Sequence, residues 1–479
     1  MAFNLQKIQL EQIVDDTFLR VDAKYHVFVE NSNWVVFPEV NFNKQVPLSS
    51  ILTPCFLTYN FEEGEIYKGI PTGRDYVDED GCITNYLYVT KDDCPDRIKY
   101  AITPSNILIS SIRQAVTPAL NFEGLPDIEN YVFSNGYYIF NVKEGYLNKF
   151  VLYLLRSKRI KRVLDNSIYR GIGISSYKMN DFLRIMIPEV NINTQKSIIN
   201  RINPIEKKIL KLKEFIRSDR EIINSIIINA FNLDIDELNR LDNMKFHSVD
   251  FYELSEGGTE LRNSVRFTKM KLIQHEMIRH YDEYAPLDEF LLLPKTKNGW
   301  SPENNELEGD TKLLGIDSLH FNGVLTTDNP KFTNETRDDI DNYFVNNGDF
   351  FVSRGNTVDL VALASIAENV EEDFLYPDLM IKLYVDETKI DKQFLVYLFN
   401  SIIGRLYFKY ASKGKQQTMV KVSSDTIRKF VIPKISLRKQ REIVKEIRKS
   451  SNAQNKIRKQ IKDLRDEIDT IIEKSMNPD

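Results

Sequence analysis

Hydroxyl, guanidinium and amide side chains follow two apolar, strand-like runs at corresponding places in the two halves of the chain. The runs are Asn106–Ser110 and Asp349–Ser353. Arginine can donate two hydrogen bonds to guanine, asparagine and glutamine pair with adenine, and serine or threonine binds phosphate. These residue types therefore predict binding chemistry directed at DNA. The candidate contacts are Ser110, Ser111, Arg113 and Gln114 in the first half, and Ser353, Arg354, Asn356 and Thr357 in the second.

Two polar loops that contain glycine supply a second set of candidates. They follow two predicted single helices, around Leu147–Leu164 and Lys392–Phe408. In the runs Phe150–Ser157 and Phe394–Ser401 of these helices, the Phe, Tyr, Leu and Ser positions match. Small residues let a backbone approach phosphates, and amide groups can read base edges. The loop candidates are Arg170, Ser175, Ser176, Tyr177 and Lys178, then Lys413, Lys415, Gln416, Gln417 and Thr418. Arg74 is a further candidate, because its segment Tyr67–Arg74 corresponds to Leu314–Leu319.

The same order of features continues beyond these loops. Each half next has an Ile-Pro pair, ending at Pro188 and Pro433, and a glutamine seven residues later, Gln195 and Gln440. A duplication with so long a period predicts two similar domains, not a solenoid of short repeats. Such domains can present two similar faces related by a pseudo-twofold axis, and duplex DNA has that kind of symmetry.

A helix of coiled-coil type closes each half. In the first, Ile and Leu recur with alternating three- and four-residue spacing from Ile198 to Ile226, which is the spacing of an a/d seam. The second helix, from Ile443 to Ile471, repeats that seam at a constant offset. The shared register predicts that the two helices pair with each other as an antiparallel coiled coil. The predicted seam contacts are Ile202, Ile209, Leu212, Ile216, Ile223, Ile447, Ile457, Ile461, Leu464 and Ile468.

Two polar features are expected within these helices. If Leu212 lies opposite Ile457, then Asp219 faces Ser450, and the two form a polar layer that fixes the register. The segment Asn203–Glu206 resembles an N-cap followed by a proline and a capping-box glutamate. We therefore expect a kink or a restart of the first helix at Pro204.

The composition predicts a globular protein with more than one core. The chain has 479 residues, of which 42% are hydrophobic and 11% aromatic, enough for two domains with helical connectors. Strand-like and helix-like runs alternate, so we expect an α+β or mixed α/β fold: two similar domains joined by two long pairing helices. The predicted boundaries are 1–190 and 233–434 for the domains, and 191–232 and 435–479 for the spacer helices.

Secretion and membrane insertion are not indicated by the sequence. The N-terminus has no signal pattern, and no apolar run is long enough to span a bilayer. The three cysteines, Cys55, Cys82 and Cys94, form no CxxC pair, which argues against a disulfide framework and a zinc knuckle. We therefore expect a cytoplasmic protein without a membrane partner.

Basic residues are clustered although the net charge is −5. Arg156–Arg162 is a dense basic run, and Lys409–Lys421 contains four lysines and no acidic residue. A charge run is often only a solvated face. The recurrence of these two runs at equivalent places in both halves favours a role in binding nucleic acid.

Catalytic patterns are largely missing from the sequence. There is no Gly-rich phosphate loop, no GxSxG elbow and no amino-methyltransferase motif. His275 and His280 are five residues apart, which places them off a common helix face, so no metal site is predicted there. Asp378, Glu387 and Lys389 resemble a nuclease carboxylate cluster around magnesium, but Glu387 lies beyond the strand and the first half has no counterpart.

Taken together, these residues resemble a specificity subunit of a type I restriction–modification system. The resemblance rests on the strand-then-serine motifs (Ile107–Ser111 and Phe351–Arg354) and on the doubled Ile-Pro segments with their following Gln and Ile. Arg20–Tyr25 also resembles the entry to the family's first recognition domain, whereas Arg266–Lys271 keeps little of that pattern. The resemblance covers essentially the whole chain.

The resemblance implies two target-recognition domains, each reading one half of a split DNA sequence, and helical spacers that set the gap. It implies two methyltransferase subunits as partners, which hold S-adenosylmethionine and methylate adenine, and a restriction subunit that translocates DNA with ATP and magnesium. On this interpretation the chain itself catalyses no reaction and binds no cofactor.

Other interpretations stay open at the level of the sequence. The partner could fuse methylation and cleavage in one polypeptide, as in type IIB-like systems. The chain could instead be a magnesium-dependent nuclease that uses Asp378, Glu387 and Lys389, or a scaffold of paired domains that binds only proteins. A nuclease would cut DNA without any partner protein, and a scaffold would show no salt-dependent DNA affinity.

Overall fold

The structure is a computed structural model that describes residues 35–41, 44–73, 75–112, 119–120, 122, 125–164, 176–246, 264–303, 309–371, 373–414 and 419–476. The chain divides into two compact units, Met1–Glu214 with Lys459–Asp479, and Phe215–Arg458. Each unit mixes helices with small sheets, which confirms the predicted mixed α/β class. No helix within the described ranges is both long and apolar enough to cross a membrane.

The first unit contains three sheets followed by helices. Strands β2, β9 and β7 form one sheet in that order, β3-β6-β8-β4-β5 form the second, and β1 pairs with β10. Its elements are β1 (Gln45–Pro47), β2 (Leu52–Pro54), β3 (Leu57–Thr58), β4 (Tyr67–Ile70), β5 (Leu87–Val89), β6 (Ile98–Ala101), β7 (Ile107–Ser110), β8 (Tyr131–Ser134), β9 (Tyr137–Val142), α1 (Asn148–Arg156), α2 (Lys158–Val163), α3 (Met179–Leu183), β10 (Met186–Pro188) and α4 (Ile192–Lys213).

A shared apolar core connects the two larger sheets of the first unit. Leu108 and Ile139 are register partners in β7 and β9. They pack with Ile70 of β4 and Phe133 of β8, and all four side chains are buried. The core thus fixes the ends of strands from both sheets, and these ends carry the predicted binding residues.

The second unit repeats this organisation with a first sheet of four strands instead of three and a second sheet of three strands instead of five. Strands β12-β19-β15-β17 form one sheet and β14-β13-β18 another, while β16 pairs with β20 and β11 with β21. Its elements are α5 (Asp219–Phe231), α6 (Ile235–Asn243), α7 (Val265–Ile278), β11 (Tyr284–Pro286), β12 (Leu291–Asn298), β13 (Thr311–Leu313), β14 (Lys331–Thr333), β15 (Phe350–Ser353), β16 (Gly355–Asn356), β17 (Ala364–Ile366), β18 (Phe374–Leu375), β19 (Met380–Val385), α8 (Lys392–Asn400), α9 (Ile402–Ala411), β20 (Val420–Lys421), α10 (Ser424–Arg428), β21 (Val431–Pro433) and α11 (Leu437–Met476), whose residues from Lys459 belong to the first unit.

The repeated glutamine has the same role in each unit. Gln195 is buried, accepts a hydrogen bond from Leu147 N at 2.9 Å and donates one to Val190 O at 2.8 Å. Gln440, also buried, accepts from Asp391 N at 2.7 Å and donates to Ile435 O at 2.9 Å. Leu147 and Asp391 are the N-caps of α1 and α8. One amide side chain therefore connects the start of the spacer helix to the start of the domain helix.

Two helices predicted as continuous are each interrupted by a serine. The region 147–164 contains α1 and α2, which meet at Ser157, and 392–408 contains α8 and α9, which meet at Ser401. Ser157 has extended backbone, and its hydroxyl accepts a hydrogen bond from Ile160 N at 3.5 Å. The prediction of single helices was wrong because a serine N-cap can interrupt an otherwise continuous apolar pattern.

The central spacer breaks at a different place from the one predicted. Helix α4 continues through Pro204, so the expected restart there was wrong. The interruption lies at 214–218, between α4 and α5. Ser218 caps α5 in a complete capping box with Glu221, which stabilises a new helix start. The segment predicted as one central spacer therefore contains two helices.

Part of the predicted seam packs inside a domain. Ile223 and Ile447 belong to the apolar core of the second unit, together with residues of α8 and β19. In the first unit Ile202 and Ile209 are buried, whereas Ile216, which follows α4 in the second unit, is 37% exposed. Of the other seam residues, Ile461 is buried and the following are half-buried: Leu212, Ile457, Leu464 and Ile468.

Candidate nucleic-acid interface

In the first unit, the segment after β7 lies against the loop that precedes α3. Ile112 and Ser176 form an antiparallel bridge. Tyr177 N donates to Ser111 O at 3.2 Å, and the Tyr177 hydroxyl donates to Ser110 O at 2.8 Å. Two candidate segments that are far apart in the sequence are therefore in direct contact.

A third candidate segment reaches the same place. The Tyr137 hydroxyl donates to Pro71 O at 2.9 Å. A Cβ atom on Gly136 would lie 2.8 Å from Thr72 Cγ2, so only glycine fits this approach without displacement. The Ser111 hydroxyl donates to Gly136 O at 2.8 Å. The strand end at Ser111 and the segment after β4 thus meet at Gly136.

Several predicted contact side chains of this unit are used inside the protein. Ser110, Ser111 and Tyr177 are buried, and each makes a hydrogen bond to the backbone. Ser176 and Lys178 are exposed. The buried hydroxyls hold the loops in place, whereas the Ser176 and Lys178 side chains are accessible to solvent.

The second unit brings the equivalent segments together through a short sheet. Gly355 and Asn356 of β16 pair with Lys421 and Val420 of β20. Lys413 forms an antiparallel bridge with Lys421, in which the backbone N–H of each donates to the carbonyl of the other at an N to O distance of 2.8 Å. The strand-end segment and the loop after the domain helices are again in contact, as in the first unit.

Here too the serine at the strand end supports the loop. The buried Ser353 hydroxyl donates to Leu360 O at 2.8 Å and accepts from Leu363 N at 3.0 Å. Arg354 is half-buried, and its Nη1 donates to Asp378 O at 3.4 Å. Asn356 is half-buried, and the exposed candidates are Thr357 and Lys413.

The other predicted contacts lie outside the described residues. This set consists of Arg74, Arg113, Gln114, Arg170, Ser175, Lys415, Gln416, Gln417 and Thr418, with the Arg20–Tyr25 segment of the family resemblance.

The basic run Arg156–Arg162 is largely engaged in ion pairs within the first unit. Arg156 Nη1 lies 3.7 Å from the Glu206 carboxylate, and burial lowers the pKa of the Arg156 guanidinium. Lys158 pairs with Asp466, and Arg159 Nε lies 3.0 Å from the Glu473 carboxylate. These three side chains are thus paired with carboxylates of the chain, whereas Lys161 and Arg162 are exposed, and the role of the run in nucleic-acid binding stays a prediction.

An acidic turn, Asp78–Asp80, forms a second ionic contact that the sequence did not predict. Lys213 at the end of α4 lies 2.6 Å from the Asp78 carboxylate and also pairs with Asp80. Arg465 of α11 binds Asp80 and Glu79. Burial raises the pKa of the Asp80 carboxyl, but the hydrogen bonds and charges of Arg465 and Lys213 outweigh burial, so that this pKa lies below its ordinary value.

Each residue of the candidate nuclease cluster has a different partner. Asp378 accepts a hydrogen bond from the Ser301 hydroxyl at 2.6 Å. Glu387 pairs with Lys392 at 2.8 Å, and Lys389 donates to Glu289 O at 3.0 Å. Among the residues that the structure describes, no group of three His, Cys, Asp or Glu side chains could hold a metal ion. The described geometry thus gives the nuclease interpretation no support.

No protein-family model matches the sequence, and no curated protein matches it. Solved structures that are similar to the chain include one described as "complex assembly and conformational transition of the type I R-M system", with 14% identity, coverage of 91% of this chain and 97% of that chain, and a TM-score of 0.44. The HsdS subunit from Thermoanaerobacter tengcongensis has 14% identity, coverage of 90% and 96%, and a TM-score of 0.31. The type I S subunit from M. genitalium has 13% identity, coverage of 91% and 96%, and a TM-score of 0.37. These three solved structures are of type I restriction–modification S subunits or of the type I system, and the sequence of this chain resembles that family.

Proposed function

We propose that this chain is the DNA-recognition subunit of a type I restriction–modification complex and that it reads a bipartite target. Residues 1–190 form one target-recognition domain and 233–434 the other. Each reads one half-site in double-stranded DNA through the loops that meet at its strand end. The chain supplies sequence recognition and no catalysis.

The observation that carries this proposal is the doubled contact between strand end and loop. Ile112 pairs with Ser176 in one unit, and Gly355 pairs with Lys421 in the other. Both contacts assemble segments with hydroxyl, amide and basic groups, which suit phosphate and base-edge contacts. Two similar recognition domains in one chain suit a DNA target made of two half-sites.

The spacer helices are proposed to pair as an antiparallel coiled coil around a pseudo-twofold axis. In the first unit, Arg201 of α4 donates to the Ser475 hydroxyl of α11 at 3.4 Å. In the second, Gln454 of α11 accepts from Arg217 N at 2.9 Å and donates to Phe215 O at 3.2 Å. The higher-numbered residues of the central segment contact the lower-numbered residues of α11, which supports antiparallel pairing.

Partner subunits complete the proposed function. Two methyltransferase subunits would dock on the spacer helices and hold S-adenosylmethionine for adenine methylation. A restriction subunit would supply ATP-driven translocation and magnesium-dependent cleavage in the cytoplasm. A type IIB-like partner that fuses methylation and cleavage would leave the role of this chain unchanged.

The test is a map of modified bases in the source genome with and without this gene. We expect one methylated-adenine motif, made of two short half-sites around a fixed gap, to disappear when the gene is removed and to return when it is restored. An unchanged map, with the gene and its neighbours expressed, would refute the proposed function.

A further inference from the structure

In each unit, a lysine on a central strand lies in register between two aromatic residues. Lys68 of β4 pairs with Tyr131 of the parallel strand β8 and with Tyr88 of the antiparallel strand β5. Lys312 of β13 likewise has one aromatic neighbour on a parallel strand and one on an antiparallel strand. It pairs with Phe374 of the parallel strand β18 and with Phe332 of the antiparallel strand β14. We call each set of three an aromatic–lysine rung.

The aromatic rings hold the lysine side chains in place. Lys68 Nζ lies 4.8 Å from the centre of the Tyr131 ring and 5.2 Å from that of Tyr86, and it donates to the Tyr131 hydroxyl at 3.3 Å. Lys312 Nζ lies 5.6 Å from the centre of the Phe374 ring. Tyr131 and Phe374 are buried. A cation held over a buried ring loses less side-chain entropy when it binds an anion.

The outer side of the first rung is open. Tyr88 is 71% exposed, and its hydroxyl lies 3.3 Å from that of Tyr86. The hydrogen bond with Tyr131 raises the pKa of the Lys68 ammonium, which stays charged at neutral pH. The nearby acidic residue Asp127 contributes in the same direction. Among the residues that the structure describes, no carboxylate lies within ion-pair distance of the Lys68 ammonium.

Both rungs lie on strands that lead into the candidate interface. Strand β8 runs from Tyr131 towards Gly136, whose carbonyl accepts the hydrogen bond from Ser111. Strand β18 runs from Phe374 towards Asp378, whose carbonyl accepts the hydrogen bond from Arg354. At about 3.3 Å per residue, Tyr131 and Phe374 each lie within about 17 Å along the chain from the Gly136 and Asp378 carbonyls, respectively.

We propose that Lys68 and Lys312 bind the DNA phosphodiester backbone beside each half-site, and that the rung rings keep both ammonium groups oriented for this contact. This inference rests on the proposed function, because it assigns a phosphate contact to each proposed reader. A phosphate contact positions a domain on DNA without specifying bases.

The experiment measures binding of the full chain to a labelled duplex of random sequence by fluorescence anisotropy. The salt concentration is varied between roughly 50 and 200 mM. The variants are Lys68→Met, Lys312→Met and the double substitution. Loss of one phosphate contact should reduce the slope of log Kobs against log salt by about 0.9, and loss of both by about twice that. Lys68→Arg and Lys312→Arg should restore the slope, since they keep the charge and the ring contact.

Lys143→Met is the matched control. Lys143 is exposed and lies at the other end of β9 from the interface, where its Nζ donates to Ser49 O at 2.8 Å. This variant should keep the wild-type slope, and thermal melting should show that all variants fold. If the wild type shows salt-dependent binding and both Met variants keep its slope, the rungs do not contact DNA. If the wild type itself shows no salt-dependent affinity, the proposed function fails as well.

Discussion

Arg465 donates two hydrogen bonds to Asp80, at 2.8 Å from Nε to Oδ1 and at 2.7 Å from Nη2 to Oδ2. This bidentate pair connects the last helix of the chain to a turn in its first domain. Lys213 binds the same carboxylate from α4. One acidic side chain thereby holds two helical segments of the first unit in place.

Substituting Arg465 should weaken the attachment of residues 459–476 to the first unit. Arg465→Met leaves the Asp80 carboxylate with Lys213 alone, and hydrogen bonds to charged groups contribute about 2 kcal/mol. Hydrogen exchange in 459–476 should accelerate by roughly thirtyfold, which corresponds to that free energy. Lys459→Met, at an exposed position of the same helix, is the control and should leave exchange nearly unchanged. Equal protection in both variants would show that the pair does not hold the helix.

The same pair predicts how stability depends on pH. Because the folded pKa of Asp80 lies below its ordinary value of 3.8, its ionised form stabilises the fold above that pH. The contribution is lost as the pH falls through the lower, folded pKa. The melting temperature of the wild type should therefore exceed that of Asp80→Asn at pH 7, and the difference should shrink below about pH 4. A difference that is constant with pH would mean that the charge of Asp80 does not stabilise the fold.

Substituting either buried glutamine should lower the melting temperature more than its position on a spacer helix suggests. Gln195→Leu leaves the Leu147 N–H without its acceptor, and Gln440→Leu does the same to the Asp391 N–H. An unsatisfied buried donor costs about 2 kcal/mol, or about 6 °C in melting temperature for a domain of this size. Gln454→Leu, on a half-buried part of α11, is the control and should cost less. Equal shifts at all three positions would contradict the role assigned to Gln195 and Gln440.

Strand positions and the doubled order of motifs could be predicted because both depend on local apolar pattern. The runs ending at Ser110 and Ser353 are strands as predicted. Helix ends were harder to place. Asn203–Glu206 and Ser218–Glu221 both resemble a capping box, and only the second starts a helix. A proline inside a well-packed helix and a proline at a helix start look alike when only the sequence is known.

Ionic contacts between distant parts of the chain could not be predicted. Asp80 and Arg465 are hundreds of residues apart, and nothing in either neighbourhood indicates the other. The same holds for Lys158 and Asp466. Lys158 was assigned to nucleic acid with the run Arg156–Arg162, because charge type alone does not distinguish a phosphate from a carboxylate of the same chain. Which charged residues form such pairs can be worked out only when the positions of the helices in the fold are known.

The length of the spacer helices should set the gap between the two half-sites. Removing 206–212 together with 451–457 takes one heptad from each helix, a length of about 10 Å at 1.5 Å per residue. The modification map should then show a shorter gap and the same half-sites. Since Glu206 accepts a hydrogen bond from Tyr153 at 2.5 Å, Glu206→Gln in the full-length chain controls for the loss of that contact. An unchanged gap would contradict the role of the helices as a ruler.

The supporting serines should affect one half-site each. Ser111→Ala removes the hydroxyl that binds Gly136 O in the first unit, and Ser353→Ala removes the one that binds Leu360 O and Leu363 N in the second. Each loss should loosen the loop beside one strand end, so the modification map should show relaxed recognition in one half-site, a different one for each variant. Because the two sets of hydrogen bonds lie in separate units, neither substitution should alter the other half-site. Relaxation of both half-sites by a single serine change would mean that the two domains do not read DNA independently.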